Sequence, residues 1–189
     1  MDIYSSSQID EIIQALNIGK TVAFGTDTVF GLACIIGNNE AINRIYEQKR
    51  RDKSKKLPMM FSNIGMMEKY VKTSPKTKLL IEKFSPGPIT YILEAIDSNE
   101  TIACRIPNDE WIINLINKIN KPLYVTSANI SGEENLIKYE EVKEKIKADV
   151  IVKKDAKGNA ASTIIDTTNN YQILRQGPIT EKEIKEVLK

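Results

Sequence analysis

Strand-like and helix-like segments follow one another along this chain without a fixed alternation, and that irregular order limits the folds open to it more than any single motif. Apolar runs bounded by turn residues predict strands at 21–24, 32–36, 57–61, 89–95, 101–106, 123–126, 150–153, 162–166 and 172–175. Apolar residues at helical spacing predict helices between them. Ile9, Ile12, Ile13 and Leu16 place the first over about 7–18, with Ser7 and Asp10 at its start and Gly19 as its stop. Asn39 caps a second, whose Ile42, Ile45 and Tyr46 lead into the basic stretch 49–56. Helices at 63–71 and 74–84 follow, the latter with Ser74 as cap and Pro75 at its first position, and Ser85-Pro86-Gly87-Pro88 must break it. Trp111, Ile112, Leu115, Ile116 and Ile119 mark another, 139–147 is the next, and Thr180 with Glu183 opens a capped C-terminal helix. A regular βαβα order would build a doubly wound parallel sheet. The order here predicts an α+β protein with a mixed sheet covered by helices.

The 189 residues suit one domain, 1–189, with neither an internal repeat nor a low-complexity linker to divide it. With 41% apolar and 28% charged residues the chain can bury a core, which excludes intrinsic disorder. No apolar run approaches the roughly 18 residues of a membrane span. Met1 to Ser5 lacks the basic-then-apolar pattern of a signal peptide, so the expected compartment is the cytoplasm, without a membrane partner. Cys34 and Cys104 stand far apart with no Cys-x-x-Cys, and suggest neither a disulfide framework nor a zinc site. Histidine is absent altogether, which removes every His general base, His-containing relay and His-bearing zinc site. Chemistry must run on Lys, Arg, Asp, Glu and hydroxyls.

A net charge of +2 is too small to indicate nucleic-acid binding by field alone. Lysines outnumber arginines 22 to 5, so Arg44, Arg50, Arg51, Arg105 and Arg175 are candidate sites for a planar, bidentate fork. Polar clusters lie at the ends of predicted elements, where a rigid scaffold holds loops. They are Thr26-Asp27-Thr28, Lys49-Arg50-Arg51, Arg105-Ile106-Pro107, Ser127-Ala128-Asn129 with Ser131-Gly132, and Ser162-Thr163 with Arg175. Cations with short hydroxyl and amide donors suit an anion with several oxygens, such as a triphosphate or carboxylate. Each cluster also has a plainer reading. The 49–56 stretch could be a solvated basic loop, Ser127 to Asn129 a hydrogen-bonded turn, Thr26 and Thr28 bonded to their own backbone, Arg105 paired with a core carboxylate and Ser162 an ordinary strand-start hydroxyl. The glycine-rich phosphate loops Gly-x-x-x-x-Gly-Lys-Ser/Thr and Gly-x-Gly-x-x-Gly are absent.

The order of the clusters carries a resemblance. Thr-Asp-Thr-Val-Phe-Gly-Leu (26–32), Lys-x-Arg (49–51), Pro-Gly-Pro-Ile-Thr-Tyr-Ile-Leu (86–93), Arg-Ile-Pro (105–107), Thr-Ser-Ala-Asn-Ile-Ser-Gly (126–132), Ser-Thr-Ile-Ile-Asp (162–166) and Leu-Arg-x-Gly (174–177) are similar to the YrdC family in family order. The likeness runs from about residue 7 to 180, and its end near residue 189 resembles the short, single-domain members. The resemblance implies a twisted mixed sheet with helices on both faces and a basic concave site. It implies synthesis of threonylcarbamoyl-AMP and pyrophosphate from L-threonine, bicarbonate and ATP. By the same resemblance, a transferase complex would then move the group onto tRNA. By motif, Lys49, Arg51, Lys55, Thr101, Ser127, Asn129 and Arg175 would face ATP, with Lys49 and Arg51 as catalytic cations, and Thr26, Thr28, Arg105 and Ser162 would face threonine or its carbamate. Mg²⁺ would arrive with ATP, held mainly by the phosphates, with no protein ligands assigned. Gly25, Phe30 and Met60 depart from the pattern, replacing a usual Pro, a common Tyr and a His found in some members.

A histidine-free chain suits this chemistry. A carbamate is already an anion, so its attack on the α-phosphorus needs no general base, and the barrier is electrostatic. Cations must offset the repulsion between nucleophile and triphosphate and stabilise the departing pyrophosphate. A competing reading, a non-enzymatic module that holds tRNA or double-stranded RNA in the same cavity, predicts binding that weakens steeply with salt and needs no ATP. The low net charge and the lack of a basic segment interleaved with aromatics argue against it. A carbamoyltransferase resembling the YrdC-like part of hydrogenase-maturation proteins would need companion domains.

Overall fold

In the computed structural model, which describes residues 1–189, ten strands form one continuous sheet. They are β1 (Asp2–Ser5), β2 (Val22–Gly25), β3 (Phe30–Ile35), β4 (Met59–Met60), β5 (Ile89–Glu94), β6 (Thr101–Arg105), β7 (Leu123–Ser127), β8 (Val150–Lys153), β9 (Thr163–Asp166) and β10 (Gln172–Arg175). The helices are α1 (Ile9–Asn17), α2 (Asn39–Lys49), α3 (Ile64–Met67), α4 (Pro75–Phe84), α5 (Glu110–Ile119), α6 (Tyr139–Lys145) and α7 (Glu181–Leu188). Across the sheet the order is β1-β8-β2-β3-β7-β4-β6-β5-β9-β10. The pairs β1/β8, β2/β8, β4/β6 and β5/β9 are parallel and the rest antiparallel, so the sheet is mixed, as the irregular element order implies.

Several local expectations need correction. β1 carries no local signal: it exists by pairing with β8 from the far end of the chain. Ser7 is not a cap. Its hydroxyl bonds Ser5 Oγ at 2.6 Å, and α1 starts at Ile9 without a side-chain cap. The strand expected at 57–61 contracts to Met59–Met60, since Pro58 has no N–H to give a ladder. The helix expected at 63–71 ends at Met67, and Val71 instead makes a bridge to Ala95. The cap of α2 is Asn38, whose Oδ1 accepts from Ala41 N at 3.0 Å, and Asn39 is the first residue inside the helix. The Ser74 cap and the Thr180–Glu183 capping box form as read.

Alternation along β2 shows how the layers arise. Val22 and Phe24 join Ile12 and Leu16 of α1 and Ile112, Leu115 and Ile116 of α5 on one face. Ala23 between them joins Ala41 and Ile45 of α2 and Val142 of α6 on the other. At the opposite end of the sheet, Ile89, Tyr91 and Leu93 of β5, with Cys104 and Ile165, pack under Leu80 and Ile81 of α4 and Ile184 of α7.

Register traces the α1/α5 face onward across the sheet. Leu123 pairs with Met60, Met60 with Arg105, Ala103 with Ile92, and Thr90 with Ile164. Ile92, Ala103 and Ile164 belong to none of the three core clusters and stay half-buried. The α1/α5 face is therefore open over β6, β5 and β9. No helix of the chain is long and apolar enough to cross a membrane.

Candidate active site

A cavity of about 160 Å³ lies where the covered part of that face gives way to the open part. Three arginines, Arg51, Arg105 and Arg175, line it, and no carboxylate does. Thr26, Thr28, Thr90, Thr126, Ser127 and Ser162 add hydroxyls, while Val29, Met60, Val125 and Ile164 provide an apolar wall. The arginines come from three separate places: the loop after α2, the end of β6 and the edge strand β10.

The 26–28 loop joins β2 to β3. Thr26 Oγ1 donates to Val29 O at 2.7 Å and accepts from Thr28 N at 3.0 Å, so Thr26 bonds its own backbone. Thr28 reaches outward to Arg105, whose Nη1 donates to Thr28 Oγ1 at 2.8 Å. Arg105 Nη2 donates to Asp27 Oδ1 at 2.8 Å and Nε to Gly87 O at 3.2 Å. Arg105 thus has a carboxylate partner and still lines the cavity. The segment from β8 to β9 passes against this loop, with Lys157 N donating to Thr26 O at 2.8 Å. A Cβ on Gly158 would lie 2.6 Å from Thr28 O, so only glycine permits that approach. Behind the loop, Lys154 Nζ donates to Gly25 O at 2.6 Å and to Asp109 Oδ2 at 2.7 Å, and the other Asp109 oxygen caps α5.

The same crossing delivers Ser162. Its hydroxyl shares a hydrogen bond with Thr90 Oγ1 at 2.8 Å and accepts from Arg175 Nη2 at 3.2 Å, while Arg175 Nε donates to Ser162 O at 3.0 Å. Arg51 Nε and Nη2 donate to Lys55 O and Lys56 O at 3.0 and 3.1 Å, which folds the 51–56 loop around its guanidinium. Arg50 is exposed, in a left-handed conformation at the end of α2.

Lys49 stands behind the cavity wall. It is 1% exposed, and Nζ donates to Ser127 O, to Asn129 O at 2.7 Å and to Asn129 Oδ1 at 3.2 Å. Ser127 Oγ donates to Asn129 Oδ1 at 2.6 Å, and Asn129 Nδ2 to Glu133 O at 2.6 Å. Ser127 and Asn129 do share a side, but only Ser127 lines the cavity. Lys55 and Thr101 also lie outside its lining: Lys55 is exposed on the 51–56 loop, and Thr101 begins β6 and borders a different pocket, with Lys56, Tyr46 and Tyr124.

Electrostatics set these cations apart. Burial lowers the Arg105 pKa, and Asp27 opposes the shift. Desolvation and then the Arg105 charge lower that of Arg175. Burial, with a further push from Arg51, brings Lys49 down to about 8. An anion in the cavity would relieve these costs. Asp109 and Lys154 carry no signal of a role in the sequence, whereas Asp27 stands in one of the polar clusters and Thr90 is a hydroxyl inside an otherwise apolar strand.

Residues 14–177 match the family model Sua5_yciO_yrdC, described as telomere recombination. A threonylcarbamoyl-AMP synthase of Vibrio campbellii is 29% identical over 181 residues, covering 89% of this chain and 98% of that relative. The threonylcarbamoyl-AMP synthase of Bacillus subtilis is 31% identical over 195 aligned residues, covering 96% of this chain but 56% of its own length. Among solved structures, P. abyssi Sua5 complexed with L-threonine has a TM-score of 0.91 at 28% identity, over 100% of this chain and 61% of Sua5. The chain spans nearly all of the first relative and little more than half of the other two. With most of its length matched by the family model, this chain belongs to the Sua5/YciO/YrdC family.

Proposed function

We propose that this chain is a nucleotidyltransferase that joins L-threonine, bicarbonate and ATP into threonylcarbamoyl-AMP, pyrophosphate and water. The cavity with three arginines, six hydroxyl residues and no carboxylate carries this reading. Size divides the ligands. A cavity of about 150 Å³ binds benzene, so the 160 Å³ here suits a small amino acid, and a nucleotide would have to extend beyond it. ATP extends from it along the open face of β6, over Ala103 toward Thr101 and the Lys55 loop, because residues two apart on a strand share a face.

The threonine amine attacks the carbon of bicarbonate, a C–N bond forms and water leaves, giving a carbamate. A carbamate oxygen then attacks the α-phosphorus, the bond to the β-phosphate oxygen breaks and pyrophosphate departs. Arg51 and Arg175 oppose the repulsion and take up charge on the leaving group. Arg105, Thr28 and Ser162 orient the amino acid. Lys49 acts on the ligand by holding the Ser127–Asn129 turn. Mg²⁺ would enter as the companion of the triphosphate, held mainly by its phosphate oxygens. The product then passes to a separate transferase complex and tRNA.

The test is pyrophosphate release by purified protein with Mg·ATP, in the presence and absence of threonine and bicarbonate. Dependence on both is expected, since the nucleophile exists only when amine and carbon source combine. Equal release without bicarbonate would refute the mechanism, and salt-sensitive RNA binding without turnover would favour an RNA-binding module.

A further inference from the structure

We propose that Asp27 is a positioning residue that sets the affinity for the substrate carboxylate by fixing the fork of Arg105. The inference rests on the amino-acid-activating reading above. A guanidinium carries five N–H donors in one plane. In Arg105, Nε is taken by Gly87 O, one donor of Nη1 by Thr28 Oγ1 and one donor of Nη2 by Asp27 Oδ1. One N–H remains on each Nη, and Arg105 lines the cavity. Two such donors on neighbouring nitrogens are what a carboxylate takes up in a bidentate grip.

The aim of that grip depends on what holds the other three donors. Of the holding groups, only Asp27 is charged, and it is itself anchored: Oδ2 accepts from Asn108 N at 3.0 Å. The side chains of both members of the pair are 8% exposed, so solvent does little to screen or loosen it. Asp27 also balances the Arg105 charge. The fork therefore recognises its ligand by geometry, while Arg51 and Arg175 retain an uncompensated field for phosphates.

Asp27→Asn keeps the size of the side chain and an oxygen for Arg105, but removes the charge and cannot serve both neighbours as before. The readouts are threonine KM, ATP KM, kcat and melting temperature on the same samples. Hydrogen bonds between charged groups justify an expected rise of about tenfold or more in threonine KM. ATP KM and kcat should stay within about threefold of wild type, a split that general loosening would not produce. Asp27→Glu, which keeps the charge but moves it by one methylene, should show the same split and covers the case in which Asp27→Asn does not fold. An unchanged threonine KM in a folded variant, or losses shared by threonine KM, ATP KM and kcat, would overturn the proposal. A wild-type protein whose pyrophosphate release ignores threonine overturns the functional reading itself, whereas threonine dependence with an unmoved KM in the variant removes only the role of Asp27.

Discussion

Two halves of the same sheet face have opposite characters. Over β8, β2, β3 and β7 the face lies beneath α1 and α5, and Val22, Phe24, Ala33, Val125, Val150 and Val152 fill it with apolar side chains. Over β6, β5 and β9 it has no helix and carries Arg105, Thr90 and the half-buried Ile92, Ala103 and Ile164. β7 crosses the boundary, since Leu123 and Val125 belong to the covered core while Ser127, next on the same face, lines the cavity. Under the helices, burial alone stabilises the face. On the open half the polar side chains satisfy one another sideways, Arg105 with Asp27 and Thr28, Ser162 with Thr90 and Arg175. The polar groups of the open half are thus held in place by one another.

The widest test of this contrast is stability. Phe24, fully buried in the covered half, should cost about 3–5 kcal/mol when truncated to Ala. Ile164→Ala on the open half should cost less than half as much, because half-buried methyls lose less transfer energy. Urea denaturation of the two variants measures the gap, and equal losses would mean that the open half is packed after all.

Next comes turnover. Arg51→Lys keeps the charge but loses the fork that binds phosphate and grips Lys55 O and Lys56 O, and should lower kcat by about 10²-fold or more. Its exposed neighbour should tolerate Arg50→Lys with stability within about 0.5 kcal/mol and near-normal rate. If Arg50 is the sensitive position, the assignment of the phosphate-facing arginine is off by one residue.

Asn129→Ala sits between the halves. The change strips an acceptor from the buried Lys49 and from Ser127, so about 1–3 kcal/mol of stability should be lost together with turnover. Melting temperature and single-turnover rate on one sample distinguish this from a ligand contact, which would lower the rate alone.

The smallest effect is a pH slope. The folded-state pKa of Lys49, about 8, lies below the 10.5 of the free side chain, so between these values the unfolded chain holds more protons and stability should rise with pH. The gain cannot exceed about 1.4 kcal/mol per pH unit. Lys49→Met should remove that rise, and an identical pH dependence in wild type and variant would show Lys49 to be charged and content in place.

The sequence alone determined the mixed α/β architecture, most helices and strands, the absence of histidine chemistry and the clusters from which the cavity is made. These are local or countable properties: apolar period, capping residues and residue type survive without knowledge of what lies across the sheet. Tertiary structure decided the rest. β1 has no signal until β8 lies beside it, and Lys49 looked like a ligand contact until the Ser127–Asn129 turn closed over its ammonium. Asp27 looked like one polar residue among three until register carried Arg105 to it from 78 residues away. Which donors remain free for a substrate depends on which are spent on the protein, and long-range pairing fixes that division only when the chain is folded.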